Sequence, residues 1–229
     1  MKRWVPVLSL AVAACGGAAS GSKPAPAVEP AQVETTVFLI GDAGAPDRRN
    51  EPVLRALATD LAKASGERVI VFLGDNVYPR GIPDTGAPGR TEAIRRLDTQ
   101  IDVAREAGVQ AIFVPGNHDW ARMGADGWNS IRRQASHIAE RGGKRIRMLP
   151  EGGCPGPSVV DVGQRLRLIA LDTQWWLHAG PKPVDPTSDC PADKESEVTD
   201  SLRADLEATD TSRRVVMIAH HPLASGGEH

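Results

Sequence analysis

From residue 35 onward, short apolar runs alternate with stretches in which apolar residues recur every three or four positions. The runs at 36–40 (TVFLI), 69–73 (VIVFL), 111–114 (AIFV) and 215–219 (VVMIA) carry no charge and are mostly β-branched or aromatic, which predicts strands buried on both faces. Between them the 3.6-residue period predicts helices. One starts at an Asn50 cap, with Pro52 in its first turn and Leu54, Leu57 and Leu61 on one face. Others are expected over 91–108, 128–141 and 195–208, and a hairpin over 158–162 and 166–171. The pattern predicts an α/β fold, and in such sheets sites form at the carboxyl ends of strands.

The polar residues fall where that rule would use them. The four apolar strands hand over to Asp42, to Asp75, to Asn117 with His118, and to His220. Strands lying side by side would bring these four clusters to one sheet edge. Tyr78, the one tyrosine of the chain, follows Asp75 by three residues. A phenolate is a hard oxygen ligand whose pKa near 10 must be pulled down, as a trivalent cation does. Carboxylate, amide and imidazole together suit zinc, manganese or iron rather than a thiolate-seeking metal. A carboxylate bridging two ions about 3.5–4 Å apart is the usual device for activating water against a phosphate.

Composition narrows the partners. The chain has 229 residues, 41% hydrophobic and 24% charged, with a formal net charge of −2. Acidic and basic residues are interspersed, which argues against a nucleic-acid surface. A small phosphorylated substrate remains compatible, because a metal pair brings its own positive charge.

The amino terminus reads as a targeting signal. Lys2 and Arg3 precede an apolar run at 5–14 that is too short to span a bilayer. The run ends in Val-Ala-Ala-Cys at 12–15, which resembles the lipobox of bacterial lipoproteins. That resemblance implies cleavage after residue 14, lipidation of Cys15 and a membrane-anchored lipoprotein facing the periplasm or cell exterior. Residues 15–33 are rich in Gly, Ala, Ser and Pro and read as a flexible tether, leaving 34–229 as the domain. Export favours pairing of the two remaining cysteines, Cys154 and Cys190. Closing that loop would stabilise the fold by roughly 3–4 kcal/mol in the chain-entropy model.

Gly-Asp-x-Gly at 41–44, Gly-Asp-Asn-x-Tyr-x-x-Gly at 74–81, Gly-Asn-His-Asp at 116–119 and His-His-Pro at 220–222 occur in this order. Together they resemble the calcineurin-like metallophosphoesterases, a layered αββα β-sandwich flanked by helices. Gly44, where most of that superfamily places a histidine, and Tyr78 resemble the purple (tartrate-resistant) acid phosphatase branch. The stretch 225–229 is similar to the segment that carries that branch's second catalytic histidine. The resemblance implies that Asp42 and Tyr78 bind a first metal, Fe(III), that Asp75 bridges, and that Asn117 and His220 bind a second, Fe(II), Zn or Mn. His118 and His229 would stabilise developing charge or protonate the leaving alkoxide. The implied reaction is hydrolysis of phosphate monoesters by a two-metal-activated hydroxide outside the cytoplasm. His221 is expected to be structural, and Arg80 and Arg90 to be solvated loop residues.

The family completes its site with a later Gly-His-x-His. No such pair occurs in these residues, and neither His137 nor His178 matches it, so the domain reads as C-terminally incomplete. Two other readings share the motifs. One is a phosphodiesterase or nucleotide pyrophosphatase on the same scaffold; the other is a non-catalytic lipoprotein with a degenerate site.

Overall fold

The computed structural model describes residues 32–49, 51–184, 188–222 and 224. The expected signal peptide and Cys15, most of the tether, the Asn50 cap and His229 lie outside the described residues.

Four parallel strands form the first sheet: β1 (Thr35–Ile40), β2 (Glu67–Phe72), β3 (Gln110–Phe113) and β4 (Ile146–Met148), in that spatial order. The second sheet runs β5 (Ser158–Val162), β6 (Leu166–Ala170), β7 (Arg214–Ile218). Its first pair is antiparallel, as a hairpin requires, and β7 joins β6 in parallel. The helices are α1 (Pro52–Lys63), α2 (Arg90–Ala107), α3 (Gly127–Gly142), α4 (Thr173–Leu177) and α5 (Glu195–Glu207).

Alternation along the strands divides the core in two. Ile70 and Phe72 of β2 point to one side, where Leu54, Leu57 and Leu61 of α1, Leu97 and Ile101 of α2, and Ile131 and Ile138 of α3 cover them. Val69 and Val71 point to the other side and pack against Val160, Val162, Leu166, Leu168 and Ile218 of the second sheet. Both faces of β2 are therefore buried, which is why it reads as an unbroken apolar run. Val198 and Leu202 of α5 pack with Leu171 and Ala219 on the outer side of the second sheet, completing an αββα arrangement.

Three findings differ from the sequence expectations. The helix cap at the start of α1 is the Glu51 side chain, which accepts from the Val53 amide. Two elements are additional: β4, three residues long, and α4, five residues long. Both are shorter than the window over which periodicity can be read. The four site-bearing strands also do not lie side by side, because β7 belongs to the second sheet. The convergence occurs across the two layers instead.

Candidate metal centre

Register brings the first three clusters together. Ile40 pairs with Phe72, and Phe72 with Phe113, so β1, β2 and β3 stop at one level and their loops leave from one rim. Main-chain bonds continue past the strands: Leu73 N donates to Ile40 O (2.7 Å) and Asp42 N to Gly74 O (3.2 Å). Asp42 and Asp75 adopt left-handed backbone, with φ of 57° and 54°. Outside glycine that conformation is tolerated best by Asp and Asn, and it recurs at functional sites.

The loop of Gly44 lies directly against the loop of Asp75. A Cβ on Gly44 would come within 2.4 Å of the Asp75 carbonyl oxygen and 2.6 Å of Val77 N. No side chain fits at this position. Tyr78 N donates to Gly44 O (3.0 Å), which seats the tyrosine over the first loop. At Gly74, with φ of 94°, an added Cβ would strike the His220 ring at 2.5 Å. This close approach lets the second sheet deliver an imidazole to the rim of the first.

The side chains meet in two groups that share Asp75. The Tyr78 hydroxyl lies 2.9 Å from Asp42 Oδ1 and 3.0 Å from Asp75 Oδ2. His220 Nε2 lies 3.2 Å from Asn117 Oδ1 and 3.5 Å from Asp75 Oδ1. The structure thus brings Asp42, Asp75, Tyr78, Asn117 and His220 together. His118 stands beside them: its amide donates to Asp75 Oδ1 (2.9 Å), its Nε2 is 3.9 Å from Asp75 Oδ2, and its ring lies 4.3 Å from that of Tyr78.

Among the described residues no three His, Cys, Asp or Glu side chains form a metal-binding group by themselves. The cluster depends on Tyr78 and Asn117 for its remaining donors, and its own electrostatics test whether it suits a cation. Burial, followed by the hydrogen bond that the hydroxyl donates to Asp42 and by the charge of Asp75, pushes the Tyr78 hydroxyl well above the ordinary phenol range. One O–H proton faces two carboxylates and can satisfy only one of them. His220 Nδ1 lies 2.8 Å from the Leu73 carbonyl, which can only accept, so a neutral ring keeps its proton there and turns the Nε2 lone pair toward the oxygens. Both groups gather electron-rich atoms with too few protons between them. A hard divalent or trivalent cation in each removes that conflict, and the residues fit a metal pair.

Asp119, the last residue of the Gly-Asn-His-Asp motif, faces inward. It is buried and accepts from Asn76 N (3.1 Å), Asn76 Nδ2 (3.0 Å), Val77 N (3.0 Å) and Gly116 N (2.9 Å). It staples the loop after β2 to the loop after β3. His221 contacts Thr173, whose hydroxyl accepts its amide at 3.1 Å and lies 2.9 Å from its Nδ1. His137 Nε2 is 2.7 Å from Asp98 Oδ1, and His178 is buried against Trp120, so both are engaged elsewhere. Arg90 donates to the Pro83 carbonyl (2.6 Å), and Arg80 is exposed. The cysteines form a Cys154–Cys190 disulfide. Sequence reasoning missed Glu92, Arg96 and Gln100, whose i, i+4, i+8 spacing on α2 was the one available signal.

A family model of the calcineurin-like phosphoesterases matches residues 35–229, and the chain belongs to this family. Its members hydrolyse phosphoesters with metal ions, generally two. No curated protein matches the chain.

Proposed function

We propose that this protein is an exported, lipid-anchored phosphomonoesterase of the purple acid phosphatase type, acting on small phosphorylated molecules outside the cytoplasm. The observation that carries the reading is Tyr78 placed between Asp42 and Asp75, with Gly44 packed where other members need room for a histidine. Export and lipidation rest on the basic start, the short apolar run and the cysteine at position 15.

Asp42, Tyr78 and Asp75 would hold one ion, Fe(III), because two carboxylates and a phenolate are a hard, anionic set. Asp75, Asn117 and His220 would hold a second, Fe(II), Zn or Mn. When bound, such a pair would supply Lewis-acid charge for the phosphate and lower the pKa of a coordinated water. The chain's own residues do the positioning. The Leu73 carbonyl fixes the His220 tautomer, so that Nε2 faces the rim. The Pro79 carbonyl, 2.7 Å from His118 Nδ1, fixes the His118 tautomer in the same way and leaves Nε2 free. With a second ring proton on Nε2, His118 would stabilise phosphoryl charge and pass that proton to a leaving alkoxide, returning to the neutral Nδ1–H ring. His229 is assigned the partner role on sequence alone.

The test compares a chromogenic phosphate monoester with the matching diester, using wild type and Tyr78→Phe. We expect monoester turnover to dominate. Tyr78→Phe should lose iron from the purified protein and at least about 100-fold in kcat/KM, the size of effect that placed catalytic groups commonly have. Preferred diester turnover, or a Tyr78→Phe protein with full iron content and activity, would refute the assignment.

A further inference from the structure

The second ligand loop is held from outside the site by one stripe of α2. Gln100, fully buried, donates from Nε2 to the Asn76 carbonyl at 2.7 Å. Arg96, one turn earlier, donates from Nη1 to the Tyr78 carbonyl at 2.7 Å. The intervening Val77 carbonyl accepts the Gly81 amide at 2.9 Å. Each of the three carbonyls from Asn76 to Tyr78 is therefore bound. Glu92, a further turn back, accepts from Arg96 Nε at 3.1 Å and from Arg95 Nη2 at 2.7 Å. Arg95 in turn donates to the Pro46 carbonyl at 3.0 Å, and Arg48 pairs with Glu92. One carboxylate thereby anchors contacts to both loops whose side chains meet at Tyr78.

We infer that Glu92, Arg96 and Gln100 are positioning residues, which hold the Asp75–Tyr78 loop against the Asp42 loop so that Tyr78 reaches the rim in ligand geometry. The inference rests on the metal-holding reading of that loop. Arg96 suits the task because its planar fork spans two acceptors at once, Glu92 on one edge and the Tyr78 carbonyl on another. None of the three touches the rim cluster with its own side chain in any bond described above. They act through the backbone of the ligands.

The experiment measures zinc affinity of the full chain by competition with a chromogenic chelator, together with amide hydrogen exchange over residues 75–78 without metal. Arg96→Met should weaken zinc binding by about 10–100-fold, the usual effect of removing a partner that orients a ligand. The same variant should speed exchange of the Val77 and Tyr78 amides while α2 remains folded by circular dichroism. Arg96→Lys should recover part of the affinity, and Arg105→Met, at the far end of α2, should match wild type. If Arg96→Met melts globally, Glu92→Gln replaces it and is expected to shift affinity and exchange in the same direction by less. Zinc affinity and exchange unchanged in Arg96→Met, or in Glu92→Gln where it replaces it, would overturn the inference. A wild-type chain that takes up no zinc, iron or manganese would instead sink the metal reading. Exchange alone would then decide the clasp, with faster exchange in the variant supporting it and equal exchange removing it.

Discussion

At Asp42 and Asp75 the chain accepts left-handed backbone at a cost of order 1 kcal/mol or more each. The return is that two carboxylates turn back over the strand ends toward Tyr78. Gly44 sets the same geometry through space rather than dihedral freedom. A methyl group there would meet the Asp75 carbonyl oxygen at 2.4 Å, backbone that cannot rotate away as a side chain can. Gly44→Ala is therefore expected to destabilise the fold by about 1–3 kcal/mol, as overpacking does. It should also lower bound metal, because the loop that must move carries Asp75 and Tyr78. Thermal melting and metal content measured together check this; a variant with wild-type melting and full metal would contradict the packing argument. That these residues would meet was legible in the sequence because Gly-Asp corners after apolar strands are specific when repeated. Asp119 was legible as a carboxylate but not in its direction, since facing the rim or facing inward is decided by which amides surround it.

Among the elements, the long ones followed from periodicity. α1 carries Leu54, Leu57 and Leu61 at helical spacing, and these are the residues it buries. Leu61 is fully buried between α1 and the first sheet. Leu61→Ala should cost about 2–5 kcal/mol in chemical denaturation while leaving the contacts around Tyr78 in place. A loss below about 1 kcal/mol would mean that this layer is looser than its burial indicates. The short β4 and α4 left no comparable trace, because three or five residues do not complete a period. α4 is capped locally by the Asp172 side chain, which accepts from the Gln174 and Trp175 amides, and is tied to the rest of the fold by Thr173, which holds His221. The positioning stripe of α2 was hidden for a different reason. Glu92, Arg96 and Gln100 look like an ordinary polar helix face until the 76–78 loop is laid across it.

For the whole molecule, the layers are tied by a few long-range contacts as well as by the two cores. The Cys154–Cys190 disulfide joins the segment after β4 to the segment before α5. The Trp120 indole donates to Asp172 Oδ2 at 2.8 Å, linking the loop after β3 to the end of β6. Burial pushes the Asp172 carboxyl up to about 7 from an ordinary 3.8. The folded chain thus holds this proton more tightly than the unfolded chain does. The resulting stability is complete below the ordinary value and is lost as pH rises through about 7, by an amount on the order of a few kcal/mol. Melting temperature should fall between about pH 4 and pH 7, and Asp172→Asn should flatten that slope even if it lowers the whole curve. An identical slope in both proteins would rule Asp172 out as its source. The sequence by itself determined the strand and helix periods, the donor types and their order along the chain, because these are properties of neighbours in sequence. Only the tertiary structure decided that His220 arrives from a second sheet, that Asp119 faces inward and that α2 clasps the 76–78 loop. Those facts depend on which surfaces pack together, and a period of two or 3.6 residues says which face is apolar but not what will cover it.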